Sequence, residues 1–187
     1  MLFLVSGTSR SGKTLVARKI LADKQIPYLS LDWLVMGFNT GIPEYGIHHL
    51  LWPHEIAERM EPFLGGAIDC MLVDGMDYVI EGEAMRPRWV AELIDKHPDE
   101  IRAVFVGYTD IDVEDKVALV KEHAVGETDW LTSESDDYIR DHIGNMIAYS
   151  KTIKAECEQC GLSYFDTSDD FSGAIAAATE ALVGGRE

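Results

Sequence analysis

Apolar residues along this chain recur in two rhythms that take turns, and the alternation is a fold signal before any single residue is considered. Residues 1–6, MLFLVS, are a nearly continuous apolar run rich in strand formers, and Leu15, Val16, Ile20 and Leu21 then recur at the spacing of one helix face. Gln25-Ile26-Pro27 breaks that helix, and residues 28–31 read as a second short strand running into a helix at Trp33-Leu34-Val35-Met36. From His54 onward, Ile56, Met60, Phe63, Leu64, Ala67, Ile68, Met71 and Leu72 keep the i, i+4, i+7, i+8 spacing of a buried stripe. Gly65-Gly66 falls inside that stripe and predicts a break or a close helix contact. A third strand over 77–82 (DYVIEG), a helix over RWVAELIDKH, a buried-type strand over 101–107 (IRAVFVG) and a helix over 112–123 with Val113, Val117 and Val120 inward follow in order. A long helix opened by Arg140 carries Ile139, Ile143, Met146, Ile147, Ile153 and Cys157 on one stripe, and a strand over 162–165 and a helix over 171–183 close the chain.

Five strands alternating with helices predict an α/β fold, a three-layer α/β/α sandwich built on a mostly parallel sheet. Two stretches depart from both rhythms. Residues 37–53 are punctuated by Gly37, Gly41, Pro43, Gly46 and Pro53 around Phe38, Tyr45, His48, His49 and Trp52, which predicts an irregular, aromatic loop suited to the wall of a pocket. Residues 125–137 are polar and aperiodic before the long helix, as expected of a mobile cover. The chain is free of internal repeats, so the expected organisation is one domain over 1–187, with an acceptor-side segment over about 37–75 and a lid over about 125–140.

The join between the first strand and the first helix carries the chemistry. Gly7-Thr8-Ser9-Arg10-Ser11-Gly12-Lys13-Thr14 fits the phosphate-binding loop pattern G-x-x-x-x-G-K-[ST], with the required strand before it and helix after it. At average residue usage the four specified positions match by chance in roughly one chain in a hundred of this size, before the flanks are demanded. Gly7 and Gly12 admit backbone angles closed to other residues, so the amides of Thr8, Ser9, Arg10 and Ser11 can form a nest for a polyphosphate. The helix opening near Lys13 adds its positive end. Lys13 can reach the β- and γ-phosphates, and the Thr14 hydroxyl can ligate a Mg2+ that bridges them, so ATP and Mg2+ are the expected ligand and cofactor.

Other candidates fall at strand ends. Asp32 follows the second strand; with parallel strands it lies beside the loop, where open α/β sheets bind ligands, although an aspartate there also suits a helix cap. Glu81 ends the third strand and can orient the water shell of Mg2+, a reading that holds less well for Glu83. Arg86 and Arg88 flank Pro87 at the start of the next helix and read either as clamps for an anionic acceptor or as surface partners of the many acids.

Composition narrows the partners. The 187 residues, enough to bury about 70% of the unfolded surface, carry 33 acids against 16 lysines and arginines, a net charge of −17. Nucleic acid and anionic membranes would be repelled, so the expected partners are a nucleotide held by local bases and Mg2+ and a small-molecule acceptor, in a monomer or homodimer. Apolar runs fall short of the ~18 to 20 residues of a membrane span, and the N-terminus lacks a basic region or cleavage site, which predicts a cytoplasmic protein. Cys157-Glu158-Gln159-Cys160 is a lone C-x-x-C, and Cys157 reads as the continuation of a helix face that stops at Gly161.

From residue 1 to about 183 the chain resembles the small-molecule P-loop kinases, the group that includes shikimate, gluconate, adenylate, 2-phosphoglycerate and chloramphenicol kinases and the zeta toxins. The loop at 7–14 is the specific match; Asp32 after the second strand, Glu81-Gly82 with Pro87 following, and the closing strand, loop and helix from Ser163 to Ile175 accompany it. The resemblance implies the strand order 2-3-1-4-5 and transfer of the γ-phosphate of Mg-ATP to a hydroxyl of a small, possibly anionic molecule. It further implies that Asp32 takes the proton of that hydroxyl, that Arg140 is the lid arginine on the phosphates, and that the loop at 166–170, with Asp166, lies beside the adenine. Two other readings stand beside it: a nucleotide-binding ATPase or regulatory module without an acceptor, and a nucleoside or nucleotide kinase. A GTPase is disfavoured, since Asn39 and Asn145 are the only asparagines and neither opens an N-K-x-D motif.

Overall fold

The computed structural model describes residues 1–123 and 130–184. Its elements, in chain order, are β1 (Leu2–Gly7), α1 (Lys13–Lys24), β2 (Tyr28–Ser30), α2 (Leu31–Gly41), a 3-10 turn (Pro43–Tyr45), α3 (Pro53–Asp74), β3 (Tyr78–Glu81), α4 (Pro87–Lys96), β4 (Ile101–Gly107), α5 (Val113–Glu122), α6 (Asp136–Cys160), β5 (Ser163–Asp166) and α7 (Phe171–Val183). The strands form one sheet in the order β2-β3-β1-β4-β5, every pair parallel. β1 is central, and all six of its positions are buried, as a continuous apolar run demands when helices cover both faces.

The side-chain alternation of β1 separates the two layers. Leu2 and Leu4 point into a core shared with α2, α3, α4 and the C-terminal half of α6, through Val35, Met60, Leu64, Val90 and Ile153. Phe3 and Val5 point the other way, onto Val16, Ala17 and Ile20 of α1 and Ala178 and Leu182 of α7. A third cluster packs Val117 and Val120 of α5 against Ile139, Ile143 and Met146 of α6, with Tyr108 at its edge. Because the chain after β1 goes first to β2 and then β3 on one side and only then across to β4 and β5 on the other, the sheet has its switch point at the carboxyl end of β1, where a ligand crevice is expected.

Several local expectations are corrected. α3 runs unbroken through Gly65 and Gly66, and a Cβ built on either meets no atom within 4 Å, so these glycines serve neither a break nor a close contact. The helix even accommodates Pro62, three residues earlier. Residues 37–41 are helical, since α2 continues to Gly41. Asp32 is not a cap: Ser30 occupies that place and Asp32 is the second residue of the helix, where a carboxylate still favours the positive helix end. α6 begins at Asp136, one turn ahead of Arg140, with the Ser135 hydroxyl accepting from the Tyr138 amide at 3.3 Å. Of the lid expected over 125–140, positions 125–129 lie outside the described residues and 136–140 are the first turn of α6. Among the described residues no helix is long and apolar enough to cross a membrane.

Candidate functional site

The crevice at the end of β1 is shaped by close backbone approach. Gly7 has φ 132° and a Cβ there would stand 1.8 Å from the Val106 carbonyl oxygen of β4, so only glycine lets the chain leave the sheet along this line. The Thr8 amide then donates to that same carbonyl at 3.2 Å. Arg10 adopts the left-handed conformation with φ 60°, and the loop closes at Gly12, the N-cap of α1, which offers no side chain to the first amides of the helix.

Inside the loop the polar groups converge. Lys13, only 7% exposed, donates from Nζ to the Thr8 carbonyl at 2.6 Å and stands 3.6 Å from Glu83 Oε1. The Ser11 hydroxyl donates to the same carbonyl at 2.8 Å. Thr14 Oγ1 donates to Glu81 Oε1 at 3.3 Å, and Glu81, fully buried at the end of β3, is also hydrogen-bonded by Ser30 at the end of β2. Burial raises the Glu81 carboxyl above its ordinary value, with the Ser30 hydrogen bond and Lys13 opposing. Burial likewise raises Glu83, with Lys13 as the chief opposing influence and the Ser9 hydroxyl a lesser one. The Asp32 charge adds to the rise of both glutamates, and Asp32, itself exposed, lies two residues past Ser30, the parallel-sheet register partner of Glu81. Gly7 to Thr14, Asp32, Glu81 and Glu83 therefore form one constellation at the carboxyl ends of β1, β2 and β3. Among the described residues no group of three or more His, Cys, Asp or Glu side chains is arranged to hold a metal by itself.

The remaining sequence candidates lie elsewhere or are already engaged. Arg86 is forked onto Glu61 of α3, Nε to Oε1 and Nη2 to Oε2 at 2.7 Å each, and its Nη1 reaches Glu58 Oε1 at 2.6 Å. Arg88 is 87% exposed on α4, 3.5 Å from Glu92 one turn on. Arg140 is bound by Glu114 of α5 and, at 2.8 Å, by Asp137 of its own helix. Asp166 organises two loops: it accepts from the amide and hydroxyl of both Thr109 and Ser168, with Lys154 Nζ at 3.4 Å. Burial alone would raise its pKa, but these hydrogen bonds outweigh it and hold the carboxyl below the ordinary value.

A gluconokinase from Sinorhizobium meliloti 1021 superposes with a TM-score of 0.60 at 16% identity, over 97% of this chain and 90% of that one. A shikimate kinase from Bacteroides thetaiotaomicron does so with a TM-score of 0.57 at 15% identity, over 98% and 96%. The chain has the fold of the P-loop small-molecule kinases. No protein-family model matches it, and no curated protein matches it in sequence.

Glu83, the lesser of the two glutamates by sequence, contacts Lys13, and Lys116, Tyr108 and Ser150, which the sequence did not single out, also contact the loop. Glu83 carried a signal, a second carboxylate just past the end of β3. Lys116 carried a fainter one: a lysine between Val113 and Val120 on the inward stripe of α5 must bury its ammonium or bend away. It is 5% exposed, and its Nζ donates to the Arg10 carbonyl at 3.1 Å.

Proposed function

We propose that this protein is a phosphotransferase that moves the γ-phosphate of Mg-ATP to a hydroxyl of a small molecule. The observation that carries the proposal is the meeting of Lys13, Thr14, Glu81 and Asp32 at the switch point of a sheet whose fold is that of small-molecule kinases. In this reading the loop amides and the first turn of α1 bind the phosphates, and Lys13 exchanges the Thr8 carbonyl and Glu83 for phosphate oxygens. The Thr14 hydroxyl and the Glu81 carboxylate, 3.3 Å apart, are hard oxygen donors of the kind Mg2+ takes, Thr14 directly and Glu81 through water. Bound there, Mg2+ would neutralise charge on the phosphate oxygens.

Asp32 aligns the acceptor hydroxyl and takes its proton as the new oxygen–phosphorus bond forms and the bond from the γ-phosphorus to the β-phosphate oxygen breaks. The acceptor enters from the side of Asp32, against the segment over about 37–75. Because the fork of Arg86 is filled by Glu61 and Glu58 and Arg88 is on the solvent face of α4, this reading asks a hydroxyl of the acceptor and drops the anionic group. Arg140 would have to leave Glu114 and Asp137 to act on a nucleotide.

A screen of acceptors for ADP release, run with wild type and with Lys13→Ala, tests the proposal. Acceptor-dependent ADP release abolished by the substitution is the expected result. A Lys13→Ala protein with near-normal turnover overturns the assignment, and ADP release that no acceptor stimulates favours an ATPase or regulatory module.

A further inference from the structure

The phosphate loop is held from behind by groups that the proposed reaction does not use. Tyr108, buried at the end of β4, donates its hydroxyl to the Ser9 carbonyl at 2.8 Å. Lys116 donates to the next carbonyl, that of Arg10, at 3.1 Å, and its Nζ sits 4.1 Å from the centre of the Tyr108 ring and 5.9 Å from that of Phe171. Ser150 of α6 ties the two ends of this support together, at 2.9 Å from the Thr8 hydroxyl and 3.1 Å from the Tyr108 amide.

The peptide group converts these contacts into a direction. In a planar trans peptide the carbonyl and the following N–H point opposite ways. A carbonyl of Arg10 drawn toward α5 therefore turns the Ser11 amide away from α5, and a carbonyl of Ser9 drawn toward Tyr108 does the same for the amide of Arg10. Arg10 is the loop's non-glycine residue in the left-handed region, so this is the peptide most prone to flip if released.

Holding it requires an ammonium buried against a carbonyl and two rings, beside the repelling charge of Arg10, which is a costly way to fill a core position. Core packing alone would be served by methionine or leucine. We infer that Lys116, backed by Tyr108, is a positioning residue that fixes the Arg10–Ser11 peptide so that its amide faces the phosphates. The inference rests on the reading of the loop as a nucleotide site.

The test compares wild type, Lys116→Met and Tyr108→Phe as full-length protein. Calorimetric titrations with Mg-ADP and with inorganic pyrophosphate measure affinity, thermal melts measure stability, and the amide NMR resonance of Ser11 is followed on pyrophosphate addition. The expected result for Lys116→Met is a roughly tenfold rise in both dissociation constants, the equivalent of about 1.4 kcal/mol, with Tm unchanged or higher and the ligand-induced Ser11 shift diminished. Tyr108→Phe is expected to lose affinity in the same direction. Wild-type protein that binds neither ligand overturns the nucleotide reading and the inference together. Wild type that binds, with Lys116→Met binding equally and the Ser11 shift intact, overturns the inference alone. If Lys116→Met does not fold, unchanged affinity in Tyr108→Phe overturns it.

Discussion

The buried ammonium of Lys116 sets up a stability effect that opposes its service to the loop. Burial first, and the Arg10 charge second, lower its pKa from 10.5 to about 8. That gap of about 2.5 units, at ~1.36 kcal/mol each, corresponds to about 3 kcal/mol. Since the side chain is only 5% exposed, solvent screening takes little from it. The folded pKa lies below the unfolded one, so between pH 8 and 10.5 the unfolded chain binds more protons than the folded chain. The penalty is present in full below about pH 8 and is relieved as pH rises to 10.5. Lys116→Met removes the titration. The stability of the variant minus that of wild type should therefore be larger at pH 7 than at pH 10.5 by about 3 kcal/mol. Urea unfolding of both proteins at each pH yields this difference, in which other groups with raised values, such as Cys157 at about 12 and Tyr149, cancel. Tyr108, whose ring centre lies 4.1 Å from the Lys116 Nζ, is pushed by burial well above its ordinary value and stays neutral over this range. A stability difference that stays flat from pH 7 to 10.5 would refute the account of a charged, desolvated lysine beneath the loop.

Three further outcomes are expected. Asp32→Asn should lower kcat by ~100- to 10,000-fold while nucleotide affinity and Tm hardly change; loss of Mg-ATP binding would instead place Asp32 in the metal shell. Arg86→Ala should destabilise the fold by about 1 kcal/mol, because Glu61 loses its fork while much of the pair stays solvent-screened, and an acceptor KM raised more than tenfold with Tm unchanged would restore Arg86 to the acceptor site. Gly7→Ala places a methyl 1.8 Å from the Val106 carbonyl at φ 132°, so β1 and β4 must part and a loss of more than about 4 kcal/mol is expected in denaturant unfolding; a loss under about 1 kcal/mol would mean that the strands yield easily.

The order of elements and the tight glycine loop after β1 were legible in the sequence because both depend on short-range physics. An apolar run such as MLFLVS can only be satisfied between two layers, and Gly7, Gly12, Lys13 and Thr14 act within a single turn of chain. The same local reasoning failed at Gly65-Gly66, where a helix packed along its Met60, Leu64 and Ile68 stripe tolerates two glycines that nothing opposes. It also left Arg86 undecided, since its partners Glu58 and Glu61 lie 28 and 25 residues away, and no spacing rule reaches that far.

What the sequence determined by itself, then, was the alternation that builds a parallel sheet and the loop at its centre. The tertiary structure decided which charges face that loop. Whether a carboxylate or an ammonium works in a site or braces the fold depends on what desolvates it and what it can reach. Glu83 meets Lys13, Lys116 meets the Arg10 carbonyl, and Arg140 is taken by Glu114 only because strands and helices distant in sequence pack side by side.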